Sequence, residues 1–336
     1  MHSALGYVDL AEQVNGVIRR PVDFAYLWGD ALAQFQRMKP ELRIINLETA
    51  ITRAEDAWPG KGIHYRMHPA NTPCLTAAGI DCCTLANNHV LDWGYAGLAE
   101  TLDSLREVGI ASAGAGRDAA EAAAPAILEV AGKGRVLVFA WGMEDSGVPA
   151  AWAAAEHRPG VNFLADLSHR SLEAVARCVH AEKRPGDVVV ASLHWGGNWG
   201  YAVPTVQRDF AHSLIDSAGV DLVHGHSSHH VKGIEVYRGK CILYGCGDFL
   251  NDYEGITGYE EYRSDLALMY FPILDDGRLA HLFLAPTETR RFQVRQAPEP
   301  GIRWLLATLN REGEKFGTRA VRRDEGGLEI RFTCSE

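Results

Sequence analysis

The chain has 336 residues, 47% of them hydrophobic and 23% charged, with a formal net charge of −10. That composition belongs to a folded globular protein and excludes a disordered tail, a collagen-like repeat and a coiled coil. The acidic balance argues against a nucleic-acid partner, which needs clustered cations, while leaving room for a small anionic substrate held by a few local Arg or Lys.

In chain order, Leu42 to Leu47 (LRIINL) reads as a short buried strand, followed by a polar loop containing Pro59, Gly60 and Gly62. Thr72 to Ala78 suits a helix, Cys82 to Ala86 a strand, and Gly94 to Val108 a helix with leucines at 98, 102 and 105. The Ala-rich stretch 119–125 is a helix former. Ala126 to Val130 and Arg135 to Ala140 flank Gly-Lys-Gly and predict a hairpin. Leu172 to Glu182 is helical, Asp187 to Leu193 (DVVVASL) is a buried strand, Val206 to Ala218 is helical and Asp221 to His224 a strand. Ile234 to Tyr237 and Cys241 to Tyr244 surround an Arg-Gly-Lys turn. Two β-rich segments near 265–273 and 279–296, a helix near 301–315 and a strand near 328–333 close the chain. Strands alternating with helices, then hairpins, predict an α/β protein with a mixed sheet. No linker or repeat divides it, so residues 1–336 read as one domain, with 256–336 its β-rich C-terminal part.

Seven cysteines, an odd number without C-x-x-C pairs, read as buried free thiols of a reducing compartment. No cationic, apolar leader and no long apolar span appear, so the expectation is a cytoplasmic protein without a membrane anchor. The count of partners is open, and a homo-oligomer is compatible with the sequence.

The chemistry-bearing residues share one position, the end of a buried strand, where ligands of α/β sheets bind. The first strand delivers Asn46 and Glu48, and Cys82 to Ala86 delivers Asn87, Asn88 and His89, with Asp92 a helical step on. Asp187 to Leu193 delivers His194, then Trp195, Asn198 and Trp199, and Asp221 to His224 delivers His226, His229 and His230. Carboxylate, amide and imidazole donors recurring at four strand ends suit zinc, iron or manganese.

The ordered blocks NLE (46–48), LANNHVLDWG (85–94), LHWG (193–196), GHSSHH (225–230) and ILYGCGDF (242–249) resemble the CapA-type poly-γ-glutamate capsule-synthesis family of the calcineurin-like metallophosphoesterase superfamily. The resemblance covers roughly residues 20–255. It implies a two-layer mixed β-sandwich flanked by helices (αββα) with metals at one end. By that resemblance Glu48 takes the place of the bridging carboxylate, and Asn88, His194 and His226 complete the second metal's shell. His89 is the histidine that protonates a leaving group or steadies the transition state, Asp92 orients it, and His229 faces the first metal. The spacing of His229 from His226 differs by one from the superfamily's usual pair. The family's opening Gly-Asp strand, whose Asp ligates the first metal, has no counterpart here, because Gly29-Asp30 lies in a helical context. The resemblance therefore implies one full divalent-metal site, with a first site reduced to Glu48 and His229.

The loop WPGKGIHYRMHP (58–69) offers Lys61, His64 and Arg66 to an anionic substrate, while Trp195 and Asn198 follow the His194 strand end. The leading expectation is a metal-dependent hydrolase acting on an anionic phosphoester or γ-glutamyl-type amide through a metal-bound hydroxide. The alternatives are an amide-forming, acyl- or phosphoryl-transfer enzyme of small-molecule or polyglutamate biosynthesis, and an inactive binding protein stapled by metal.

Overall fold

The computed structural model describes residues 4–254 and 258–332. Cys334 and Thr333, the last residue of the final expected strand, lie outside the described residues. The chain is mixed α/β and divides into two compact units. The first is built from Glu41–Gly197 and Pro204–Ser227, the second from Ala4–Pro40, Asn198–Val203 and the described part of Ser228–Glu336.

In the first unit, Ile44–Asn46, Cys82–Thr84 and Ala111–Ala113 form a parallel three-stranded sheet, with Ile44 opposite Cys82 and Cys83 opposite Ser112. A second set of strands runs in the order Leu222–His226, Val188–His194, Gly134–Gly142, Ala126–Val130; the first three are parallel and the last antiparallel. The expected hairpin at 126–140 is this last pair. Val188–His194 is central and almost wholly buried, as a Val-rich parallel strand covered on both faces must be. Each fully buried Leu such as Leu193 contributes roughly 1.5–3 kcal/mol of hydrophobic stabilisation. Helices Gly94–Glu107, His169–Glu182 and Thr205–Ala218 fall where the 3.6-residue spacing puts them. Ser168 caps the second of these by accepting from the Ser171 amide. Gly219, at φ 70°, ends the third in the left-handed region, and its amide and that of Val220 both donate to the Leu214 carbonyl.

Several details of the first unit differ from expectation, among them the unforeseen strand Ala111–Ala113. The strand expected at Asp221 to His224 is Leu222–His226, so His226 ends the strand instead of following it. Its parallel partner Val188–His194 extends equally far, and the ladder carries the extra residues. The two-residue strands Ala50–Ile51 and Arg66–Met67 pair in parallel inside the expected polar loop, a segment too short to show any periodicity.

In the second unit, Ile234–Tyr237 and Lys240–Leu243 form the expected hairpin across Arg238 and Gly239, both at positive φ as a tight two-residue turn requires. Strands Leu266–Asp275, Arg278–Arg290, Leu328–Phe332 and Thr318–Arg322 make an antiparallel sheet, with Gln293–Gln296 also on Arg278–Arg290. The helix Glu299–Gly313 packs with it. Asp30 precedes the helix Ala31–Met38, and its carboxylate accepts from the Gln296 amide at 2.8 Å. The six described cysteines are free thiols, four of them buried, while Cys178 and Cys246 are partly exposed. No helix among the described residues is long and apolar enough to cross a membrane.

Candidate functional site

The parallel register of Val188–His194 on Leu222–His226 places His194 directly opposite His226. Their Nδ1 atoms are hydrogen-bonded at 2.7 Å, and both side chains are buried. Glu48 joins them, its Oε1 lying 3.8 Å from His194 Nε2. The carboxylate is held from behind: Asn46 Nδ2 donates to Glu48 Oε2 at 2.9 Å, and Asn87 Nδ2 donates to Asn46 Oδ1 at 3.0 Å and to the Leu47 carbonyl at 2.9 Å. Ser192 sits two residues before His194, on the same face of the strand. Its hydroxyl bonds His226 Nε2 at 2.8 Å, His224 Nδ1 at 3.0 Å and Thr84 Oγ1 at 3.1 Å. A separate turn supports the His194 backbone, whose carbonyl accepts from the Met143 amide at 3.0 Å and from Ser146 Oγ at 2.7 Å.

Beside this cluster stands a second one. His89 Nδ1 bonds Asp92 Oδ2 at 2.7 Å, and the His89 amide donates to Asn87 Oδ1 at 3.1 Å, so Asn87 ties the two clusters together. Asp92 is fully buried and accepts also from the Tyr65 amide at 2.6 Å and from Lys61. Lys61 donates further to the Asn88 carbonyl and lies 3.1 Å from His89 Nδ1. Burial pushes the Lys61 ammonium below its ordinary value, and Asp92 beside it opposes that. The Tyr65 ring packs on His89 with centroids 4.0 Å apart.

The remaining residues singled out from the sequence are distributed otherwise. Arg66 lies over the Trp93 ring at 4.3 Å and donates to the Ala54 carbonyl. His64 packs on Trp93 and meets the Trp58 carbonyl at 3.2 Å. Trp195 is buried, with its amide donating to the His226 carbonyl at 3.2 Å. Asn198 and His229 belong to the second unit, where the Asn198 carbonyl accepts from the His229 amide at 3.0 Å. There His229 Nδ1 bonds Asp248 at 2.8 Å, between the rings of Trp199 and Tyr253. Sequence reasoning gave no role to Ser192, Ser146 or Asp248. The i, i+2 spacing of Ser192 and His194 in a strand was the one signal that pointed to Ser192.

The donors suit a borderline divalent cation: a carboxylate, two imidazoles, and Asn88 Oδ1, a buried oxygen with no hydrogen-bond partner among the described residues. Burial, reinforced by His194 and His224, holds His226 well below the usual imidazole value, so the ring offers lone pairs. The spacing is that of a hydrogen-bonded pair, for two nitrogens on one tetrahedral ion stand about 3.3 Å apart, further than the 2.7 Å here. Among the described residues, no three His, Cys, Asp or Glu are spaced to hold a metal as they stand. The residues fit a cation in kind, and the two rings must part to admit one.

These are strand-end donors on a mixed α/β scaffold. The family described as "Bacterial capsule synthesis protein PGA_cap" matches residues 3–253, and the chain belongs to that family. It is 47% identical over 333 residues to a Mycobacterium tuberculosis protein called "Probable polyglutamine synthesis accessory protein Rv0574c", covering 98% of this chain and 87% of that one. It is 28% identical over 250 residues to the "PGA biosynthesis protein CapA" of Bacillus subtilis, covering 72% of this chain and 62% of the other. The solved NAD nucleotidase (NadN) of Haemophilus influenzae aligns with 67% of this chain and 40% of its own at 12% identity and a TM-score of 0.32, a likeness too remote to carry an argument.

Proposed function

We propose that the first unit holds a divalent-metal hydrolase site that acts on an anionic phosphoester or a γ-glutamyl-type amide. The observation that carries this reading is the meeting of Glu48, His194 and His226 at three strand ends, directly beside the His89–Asp92–Lys61 cluster. The finer architecture we propose is a two-layer mixed β-sandwich flanked by helices, supported by the Ser192–Thr84 hydrogen bond that joins a strand of each sheet.

Glu48, Asn88, His194 and His226 would hold one ion, zinc, manganese or iron. Bound there, it would supply Lewis-acid polarisation of a phosphoryl or carbonyl oxygen and acidify water. The chain's own residues do the rest. Asn46 fixes the direction of the Glu48 carboxylate, and Ser192 fixes the His226 ring. With Nδ1 bonded to a carboxylate, which can only accept, the His89 ring carries hydrogen on Nδ1 and delivers a proton to a leaving group from Nε2. Lys61 pairs with the buried Asp92 carboxylate, which keeps that side chain in place against His89. The test is turnover of bis(p-nitrophenyl) phosphate and of γ-L-glutamyl-L-glutamate by metal-loaded protein. Hydrolysis of either, lost in His89→Ala, supports the reading, and inertness towards both at full metal occupancy overturns it.

The family description and the names of the relatives, all of synthesis, favour a second reading, in which the same site forms an amide from an activated glutamyl donor and an amine. Amide product from such a pair, without hydrolysis of either test compound, would select it. The substrate is in both cases a soluble anion or glutamyl compound.

A further inference from the structure

Asn88 lies beyond the end of the strand Cys82–Thr84, and its buried Oδ1 has no hydrogen-bond partner among the described residues. What stands against its amide is a turn that leaves the other sheet. The strand Gly134–Gly142 ends with Gly142 opposite His194, and the short helix Glu144–Ser146 follows. Gly142 is so near the Ala86 backbone that a Cβ there would stand 2.8 Å from the Ala86 carbonyl oxygen, closer than packed atoms allow. Past the turn, Gly147 at φ +84° would place a Cβ 3.1 Å from Asn88 Nδ2 and 3.6 Å from Asn88 Cβ. A left-handed backbone favours glycine by itself, and the contact with Asn88 is a separate demand. On its other side the turn is pinned to the His194 backbone, whose carbonyl accepts from the Met143 amide at 3.0 Å and from Ser146 Oγ at 2.7 Å. Ser146 is buried, and the Val148 amide closes the turn on the Met143 carbonyl at 3.2 Å. One short segment therefore touches two of the proposed ligands, His194 through its backbone and Asn88 through its side chain, although they extend strands of different sheets.

We propose that this turn is the positioning element of Asn88: Gly147, by carrying no side chain, lets the amide stand where its oxygen is left to a cation, and Ser146 ties the turn to His194 so that the two ligands keep their distance. The inference rests on the metal site proposed above. Its test is calorimetric titration of the full, metal-free chain with zinc and, separately, with manganese, for the unaltered protein and for Gly147→Ala, Ser146→Ala and Gly186→Ala. Gly186, at φ +87°, has nothing among the described residues within 4 Å of the place a Cβ would take. Its alanine variant thus carries a like backbone strain with no neighbour to displace.

Groups that orient a metal ligand are worth at least about tenfold in affinity, so Gly147→Ala is expected to bind the metal about tenfold more weakly. Ser146→Ala should bind about fivefold more weakly, the worth of one neutral hydrogen bond, while Gly186→Ala binds as the unaltered chain does. On an Asn88→Ala background the loss caused by Gly147→Ala should vanish, because a role exerted through Asn88 has nothing left to act on. Undiminished binding in Gly147→Ala, an equal loss in Gly186→Ala, or a loss that persists on the Asn88→Ala background overturns the inference and leaves the metal site standing. Absence of binding by the unaltered chain overturns both. Should Asn88→Ala bind too weakly to measure, the comparison of Gly147→Ala with Gly186→Ala decides. Should Gly147→Ala fail to fold, Ser146→Ala decides, and undiminished binding there is the contrary result.

Discussion

Asn87 has no exposed surface, and both ends of its side chain are spent: the amide nitrogen on Asn46 and the Leu47 carbonyl, the oxygen on the His89 amide. Truncation leaves the Leu47 carbonyl and the His89 amide without this partner, at a cost of about 1–3 kcal/mol for a buried unsatisfied group. Asn87→Ala is therefore expected to lower unfolding free energy by that amount in urea titration, and a change below 0.5 kcal/mol, a marker of surface substitutions, would refute the bridging role. In the proposed reading, His89 is the residue whose loss separates chemistry from metal binding. Since positioned acid–base groups contribute 10²- to 10⁴-fold, His89→Ala should lose at least about a hundredfold in turnover while its metal content by elemental analysis stays unchanged. In His226→Ala the order reverses, with bound metal lost first. Full occupancy in that variant would remove His226 from the ligand set.

At the scale of elements, strands and helices were legible where an apolar run or a 3.6-residue spacing was pronounced, as in Asp187 to Leu193 and Gly94 to Val108. The helix Ala4–Asn15, the two-residue strands at Ala50 and Arg66 and the strand Thr318–Arg322 were not foreseen. The short pairs make contacts that only the folded chain creates, and Thr318–Arg322 (TRAVR) has two arginines in five residues, too polar a run to announce a strand. The donors at strand ends were legible as residue types. Their juxtaposition was not, because the closeness of His194 and His226 depends on Val190 pairing with Leu222, a register between distant segments.

The same burial has a consequence for pH. His224 and His230 are each pushed down to about 4 by burial, and His226 lies well below the usual value, so all three are neutral in the folded protein. The unfolded chain takes up these protons near pH 6.5, the folded chain only near pH 4, so between those values the unfolded state binds more protons. The stabilisation is complete above about pH 6.5 and falls as pH drops towards 4. Urea unfolding with EDTA present should show a less stable protein at pH 5 than at pH 7, and equal stability would contradict the buried neutral state of these rings.

At the scale of the whole molecule, the chain belongs to the capsule-synthesis family, and the reaction we propose falls to the first unit's strand ends. A net charge of −10 gives an anion no general attraction, so in the proposed reading recognition falls to a few local cations and donors. The measurement that bears most directly on this is a crystal structure of the protein soaked with zinc or manganese, with anomalous data collected at the metal edge. The account predicts one peak ringed by Glu48, Asn88, His194 and His226, with the two imidazoles drawn apart from their present hydrogen bond. Stoichiometric metal bound anywhere else, or those four side chains unchanged and empty at saturating metal, would contradict it.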